Sequence, residues 1–230
     1  MRETFHGELD TIRRTLVDMS EAVRVAMQDA SAALLTADLT VAERVISQDV
    51  EVDRLRDDLE ARAFDLLARQ QPVAVDLRML ITSLKTVAGL ERMGDLALHV
   101  AKVARMRYPA CAVPDDVRDT IREMGDVALS IVTKTRQVLE GQDIKLAEQL
   151  EREDDAMDTL HRQLFTQLLS EGWAHGVEPA IDITLIGRYY ERYADHAVSV
   201  ARQTIYLVTG EPAPPSQALS TGATETALGV

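Results

Sequence analysis

Residues 91–95 read Glu-Arg-Met-Gly-Asp, and residues 191–195 read Glu-Arg-Tyr-Ala-Asp. In a helix, the Glu and Asp of each segment lie four positions apart and project from one face. Around the first segment this face continues as an apolar stripe of Leu77, Leu80, Ile81, Leu84, Val87, Ala88 and Leu98. We therefore expect Glu91 and Asp95 to point toward a core. A carboxylate is costly there unless a cation or strong donors meet it.

Helical periodicity continues on both sides of the two segments. Apolar residues recur at helical spacing over about residues 8–35, 38–70, 76–107, 115–140, 143–169 and 180–208. Asp38 is suited to cap the second helix, and Gly210 is suited to end the sixth. Only 4% of the residues are aromatic, and the apolar content is mostly Ala, Val, Leu, Ile and Met. This composition favours packed helices, and we predict an all-α fold.

A second pair of acids repeats in the same order. Asp49 and Asp53 lie on the second predicted helix, and Asp154 and Asp158 lie 105 positions later on the fifth. Two matching sites indicate an internal duplication. Short turns join the helices, so we predict two tandem three-helix bundles, over residues 1–110 and 115–210. Residues 211–230 have three prolines and no periodicity, which predicts a disordered tail.

Charge and composition exclude several classes of protein. The net charge is −13, whereas a nucleic-acid binder usually carries a basic surface, so we expect no nucleic-acid partner. One cysteine, Cys111, allows neither an internal disulfide nor a cysteine-based zinc site. No apolar run is long enough to span a membrane, and the N-terminus lacks the apolar region of a signal peptide. We expect a cytoplasmic protein.

The repeated acids are candidate metal ligands. Antiparallel packing of the second and third helices of each bundle would gather four carboxylates. The eight candidates are Glu91, Asp95, Asp49 and Asp53 in the first half and Glu191, Asp195, Asp154 and Asp158 in the second. An all-oxygen site favours hard cations, so we consider Mg, Mn, Fe or Zn, and also Ca. His99 and His161 lie one turn away and are weaker candidates. The alternative is that Arg92 and Arg192 hold the acids without any metal.

No catalytic motif is present. The sequence has neither a glycine-rich phosphate loop nor a nucleophile elbow, and Glu-x-x-x-Asp differs from the Glu-x-x-His of di-iron bundles. We therefore expect a protein that is not an enzyme. The alternative is a metal-dependent enzyme or a metal-storage bundle that uses the same carboxylates. Four of the five tyrosines lie on the sixth helix, where they either mark an interface or pack between helices.

Residues 75–78 (Val-Asp-Leu-Arg), 90–95 and 190–196 resemble the PhoU family of phosphate-signalling regulators, the phosphate-specific transport system accessory proteins. The resemblance implies two tandem three-helix bundles, each with one acid motif that binds metal in some members. It also implies a cytoplasmic homodimer that reaches the membrane only through partners.

The implied function is an adaptor between a phosphate ABC transporter, through its ATPase, and a sensor histidine kinase, which restrains the phosphate-starvation response. The sequence departs from the family at Gly89, Lys102 and Arg202, where members often carry acids. These departures put a multinuclear metal cluster in doubt.

Overall fold

The computed structural model describes residues 2–211, apart from the side chains of residues 2–4 and 151–153. All of its regular structure is helical, as predicted. The helices are α1 (Arg2–Thr36), α2 (Leu39–Gln70), α3 (Ala74–Arg107), α4 (Asp115–Gly141), α5 (Ile144–Leu168) and α6 (Val177–Thr209). The predicted disordered tail lies outside the described residues from position 212 onward.

Local chemistry sets the helix ends. The Asp38 carboxylate accepts a hydrogen bond from the Val41 backbone N–H at 3.0 Å, which confirms it as the cap of α2. Asp143 caps α5 in the same way, and Gly210 ends α6 in the left-handed conformation. The periodicity predicts that the sixth helix begins at about residue 180, after Pro179, but α6 begins at Val177 and Pro179 lies inside its first turn. That prediction was wrong because the first-turn N–H groups have no partner within the helix, so a proline there loses nothing.

The helices form two groups of three that share one core. Within α1–α3, and again within α4–α6, each helix contacts the other two. The groups also meet along two seams, between α1 and α4 and between α3 and α6. Buried apolar residues from all six helices form one contiguous cluster. The two bundles therefore exist as predicted, but they are not separated by solvent.

Helices α3 and α6 run antiparallel along their seam. At one end, Arg107 of α3 donates to Asp182 at 2.5 Å and also contacts Glu178, both on α6. At the other end, Nε of Arg78 donates to the carbonyl oxygen of Leu207 at 2.9 Å. The two helices that carry the Glu-x-x-x-Asp segments are thus held together at both ends.

The predicted core face of α3 was partly wrong. Leu80 and Val87 are fully buried, but Leu77 and Ile81 are 39% and 38% exposed, and Ala88 is exposed as well. The reason is that α3 packs against three helices, and small polar residues such as Thr82 and Thr86 face some of those contacts. The stripe that continues into Glu91 and Asp95 therefore lies along the edge of the core.

Candidate functional site: two acid clusters

The first acid cluster forms where α2 packs against α3. A β-carbon at Gly94 would lie 3.3 Å from both Oδ1 of Asp49 and Cγ1 of Val52. The missing side chain at this position therefore lets α2 approach the acid segment of α3 closely. In the second repeat the equivalent residue is Ala194, which is fully buried.

The acids of the first cluster affect one another electrostatically. Partial burial raises the pKa of Asp49, and the charges of Asp95, Asp53 and Glu91 raise it further, while Lys102 opposes the rise. The pKa of Glu91 is raised for the same main reason, burial, and then by Asp95. All four predicted residues of the first half therefore belong to one electrostatic cluster, whose carboxylates disfavour each other's charge.

Arginines already pair with these acids. Nη1 of Arg56, on α2, lies 2.9 Å from Oε1 of Glu91, whose side chain is only 14% exposed. The same guanidinium lies 3.8 Å from Asp53. Arg92 lies 3.1 Å from Asp95 and 3.7 Å from Glu91. The alternative that arginines hold the acids is thus realised in the first cluster, with Arg56 as a partner that the sequence did not single out.

The second cluster repeats this arrangement between α5 and α6. Burial raises the pKa of Asp154 to about 7, and Asp195, Asp158 and Glu191 add to the shift, while Arg202 opposes it. Burial also raises the pKa of Glu191. The pKa of Asp195 is raised as well, because its carboxylate loses water where it faces the cluster, although the residue as a whole is exposed.

The arginine that pairs with Glu191 is Arg188, one turn earlier on α6, and not the predicted Arg192. The equivalent of Arg56 is His161, whose Nε2 is buried and has no hydrogen-bond partner among the described residues. Burial lowers the pKa of His161, and the Arg188 charge adds to this effect.

The clusters suit a hard cation in donor type and in charge. Their ligands are carboxylate oxygens, and their raised pKa values show that positive charge is favoured there. Within the described part of the chain, however, no three acid, histidine or cysteine side chains converge closely enough to hold a metal ion. Arg56 and Arg188 would have to release Glu91 and Glu191 first. The metal site at the eight acids stays a prediction.

Each repeat also exposes an apolar patch on its second helical hairpin, and of the residues in these patches only Leu77 and Ile81 were predicted, as part of the core. On the α5–α6 hairpin, Phe165, Leu169, Val177, Ile181 and Leu185 are 38–83% exposed and line a groove of about 510 Å³ together with Trp173. On the α2–α3 hairpin, Phe64, Val73, Val75, Leu77 and Ile81 are 38–74% exposed. Leu77 and Ile81 precede Val177 and Ile181 by the same 100 positions that separate the acid segments.

None of the described helices is long and apolar enough to cross a membrane.

Comparison with known proteins agrees with the duplicated architecture. The model of the PhoU domain matches the chain twice, at residues 16–104 and 121–204. The exact domain limits that we predicted, 1–110 and 115–210, stay a prediction.

Curated relatives extend over nearly the same length. The phosphate-specific transport system accessory protein PhoU homolog 2 of Mycobacterium tuberculosis is 47% identical over 210 residues, which cover 91% of this chain and 99% of the relative. The PhoU homolog of Clostridium acetobutylicum is 30% identical over 214 residues, which cover 91% of this chain and 96% of the relative.

Two solved structures share the fold. The phosphate transport system regulatory protein PhoU of Streptococcus pneumoniae aligns with a TM-score of 0.81 at 22% identity, over 91% of this chain and 99% of that one. PhoU of Pseudomonas aeruginosa aligns with a TM-score of 0.80 at 29% identity, over 90% of this chain and 100% of that one. With the domain matched in both halves and relatives aligned end to end, the chain belongs to the PhoU family of phosphate transport system accessory proteins.

Proposed function

We propose that this protein restrains phosphate-starvation signalling as a non-catalytic adaptor between a phosphate ABC transporter and a sensor histidine kinase. Family membership supports a regulatory role in phosphate transport. The kinase and the transporter ATPase come from the resemblance of the acid segments and of residues 75–78. The same resemblance supports a cytoplasmic homodimer that reaches the membrane only through these partners.

The duplicated apolar patches are the observation that carries this proposal. A non-obligate protein contact needs an accessible apolar centre with a polar rim. The α5–α6 groove has such a centre at Ile181, which is 54% exposed, and Thr184 adds a polar side chain to its lining. The duplication places a second patch on α2–α3. An adaptor with two partners needs two such surfaces on one rigid body.

The net charge of −13 gives these surfaces a preferred kind of partner. A partner with an apolar ridge flanked by Lys and Arg would associate faster because the protein as a whole is negatively charged. Raising the salt concentration should then weaken the association by slowing it.

We also propose that the acid clusters are sites for a hard cation. In the first repeat Asp49, Asp53, Glu91 and Asp95 would hold the ion, and in the second Asp154, Asp158, Glu191 and Asp195. A bound cation would supply positive charge that ties α2 to α3 and α5 to α6. The raised pKa values of Asp49 and Asp154 support this proposal, and the pairing of Glu91 with Arg56 opposes it.

Complementation in a strain that lacks every copy of the gene tests the adaptor role. Wild-type protein should restore repression of a phosphate-starvation reporter in phosphate-rich medium. The Ile181→Arg variant should fail to do so and should bind the purified cytoplasmic region of the kinase, or the transporter ATPase, at least about tenfold more weakly, as expected for a charge placed in an apolar contact. Met106→Arg is the matched control, because Met106 is 59% exposed but lies outside the groove.

Normal repression in the strain without any copy would contradict the adaptor role. Full activity of Ile181→Arg would contradict only the assignment of the α5–α6 groove.

A further inference from the structure

A basic groove lies on the seam between α3 and α6, midway between the two acid clusters. It has a volume of about 480 Å³, and its charged and imidazole side chains are Arg92, His99, Arg188, Arg192, His196 and one acid, Asp95. Three arginines against a single carboxylate are unexpected in a protein with a net charge of −13. A second groove shares Arg92 and His196, but it is lined by Lys85 and Arg56 together with the acids Glu60 and Glu91, so the excess of basic side chains belongs to the first groove.

The arginines retain free hydrogen-bond donors. Within the part of the chain that the structure describes, Arg192 is exposed and has no acid within ion-pair distance. The side chains of Arg92 and Arg188 are 63% and 52% exposed. Arg92 pairs with Asp95 through Nη1 and lies 3.7 Å from Glu91 through Nε, and Arg188 pairs with Glu191 through Nη1. A guanidinium has five N–H donors, so each arginine can still donate into the groove.

The two histidines complete a set of donors from both helices. His196 is half-buried, and burial lowers its pKa, with the charges of Arg192 and Arg92 adding to the effect. On the other side of the groove, Nδ1 of His99 donates to the carbonyl oxygen of Asp95 at 2.5 Å. The His99 ring also rests against Tyr189, with ring centres 5.3 Å apart. This hydrogen bond and ring contact fix the orientation of the imidazole and leave Nε2 available.

This set of donors matches one class of ligand. Planar guanidinium groups bind oxyanions with two parallel N–H donors, and arginine is the residue that most often recognises phosphate in this way. An anion between Arg92, Arg192 and His196 would also relieve the repulsion among these positive or potentially positive groups. The volume lies in the range of small-molecule sites, so the groove has room for a phosphate with an attached ester group.

We propose that the α3–α6 groove binds a small phosphate-type oxyanion through Arg92, Arg188, Arg192 and the two histidines. The ligand is either free inorganic phosphate or the phosphate of a small ester. This site adjoins the acid clusters, because Asp95 lines it and Arg92 and Arg188 also pair with cluster acids, and it lies apart from the α5–α6 apolar groove. It would let a phosphate-bearing ligand act on the seam that joins the two repeats, and it does not rely on the partners proposed above.

Calorimetric titration of the full chain in EDTA-treated buffer at low chloride tests the proposal, with inorganic phosphate in one arm and AMP in the other. Saturable binding of either ligand is expected. Arg192→Ala should weaken it about 10- to 100-fold, which corresponds to the loss of a charge-assisted hydrogen bond. Arg122→Ala is the matched control, because it removes the same charge from an exposed site on α4.

The two arms identify the source of the phosphate. Tighter binding of AMP that phosphate displaces would assign the groove to an ester, and binding of phosphate alone would assign it to the free ion. His196→Gln provides a second variant and should also weaken binding while the circular dichroism spectrum stays unchanged. The proposal is wrong if neither ligand saturates by about 20 mM, or if Arg192→Ala and Arg122→Ala weaken binding equally.

Discussion

Asp154 is the residue at which the electrostatic cost of the duplicated acids is greatest. Its carboxylate is partly buried and lies among three others, and its pKa of about 7 is far above the ordinary aspartate value of 3.8. The folded protein therefore binds a proton at Asp154 over a pH range in which the unfolded chain has released it. The contribution of Asp154 to stability therefore falls as the pH rises through this range, from about 4 to about 7.

The Asp154→Asn substitution should remove this fall in stability, because asparagine cannot ionise. We expect the free energy of unfolding of the variant, relative to wild type, to increase between pH 4 and pH 8. The gain should be about 1–3 kcal/mol, after allowance for solvent screening of a carboxylate that is not fully buried. Urea titrations at several pH values in the presence of EDTA measure it. Asp155→Asn, at an exposed neighbouring position, should show no such trend.

The double substitution Glu91→Ala/Asp95→Ala tests the proposed cation site. If the first cluster binds a hard cation, calorimetric titration with Mn²⁺ should show binding to wild type that becomes at least about tenfold weaker in the variant. Glu51→Ala/Asp58→Ala is the control, because these two exposed acids of α2 pair with Arg54 instead. Equal heats for wild type and Glu91→Ala/Asp95→Ala would show that the acids serve arginine pairing.

The sequence was sufficient to predict which acids lie close together, but not which arginine side chains pair with them. Spacing along one helix places Glu91 beside Asp95, and the duplication relates these to Glu191 and Asp195. The pairing of Glu91 with Arg56 depends on how α2 is rotated against α3, and helical periodicity does not determine that rotation. The pairing in the second repeat was not predictable either. Arg188, three positions before Glu191, pairs with it, whereas Arg192 lines the α3–α6 groove.

At the scale of single elements, close approach between α5 and α6 depends on Gly187. A β-carbon there would lie 2.6 Å from Cδ2 of Leu164, which is 1% exposed, and 3.3 Å from Cδ2 of His161. Buried Leu164 cannot move away without disturbing its neighbours. The glycine is therefore a requirement of packing, although a glycine inside a helix is itself unfavourable.

Gly187→Ala should lower the free energy of unfolding by about 1–2 kcal/mol, because overpacking outweighs the gain in helix propensity. Gly125→Ala is a matched test on α4, since a β-carbon there would lie at ordinary contact distances of 3.5 Å or more. That variant should be as stable as wild type or about 0.5–1 kcal/mol more stable. Thermal unfolding of both variants decides the matter, and equal effects would refute the packing argument.

The type of the helices and most of their ends were predictable because caps and breaks are local, whereas the starts of α1 and α6 were predicted too late in the chain. Asp38 and Gly210 act within one turn of their own positions. Which face of α3 is buried was not predictable from its apolar residues alone, because the helix has three neighbours and buries Thr82 and Thr86 against them. The exposed Leu77 and Ile81 follow from the same fact.

At the scale of the whole molecule, buried tyrosines join the second repeat to the first. The Tyr190 hydroxyl donates to Oγ of Ser31 at 2.8 Å, and the Tyr193 hydroxyl donates to the carbonyl oxygen of Val23 at 3.0 Å. Both tyrosines are fully buried on α6, and both acceptors belong to α1. For these two residues, packing between helices is the correct interpretation. The repeats should therefore unfold together.

The Tyr190→Phe variant should lose about 0.5–1.5 kcal/mol of stability, the usual effect of removing one buried hydrogen bond. Tyr206→Phe, at a half-buried position on the same helix, is the control. Urea unfolding should be followed both by circular dichroism, which reports all helices, and by fluorescence of Trp173, the one tryptophan of the chain. Coincident transitions are expected for wild type and for both variants. Separate transitions would show that the repeats are independent.

The common core has a practical consequence for finding the binding partners of this protein. Cutting the chain in the connector between α3 and α4 would uncover the faces of α1 and α3 that α4 and α6 normally cover. Half-length baits in a two-hybrid screen or a pull-down would then expose apolar surfaces that are buried in the intact protein. Truncation mapping would report these surfaces as binding regions. Point substitutions in the intact chain avoid this artefact.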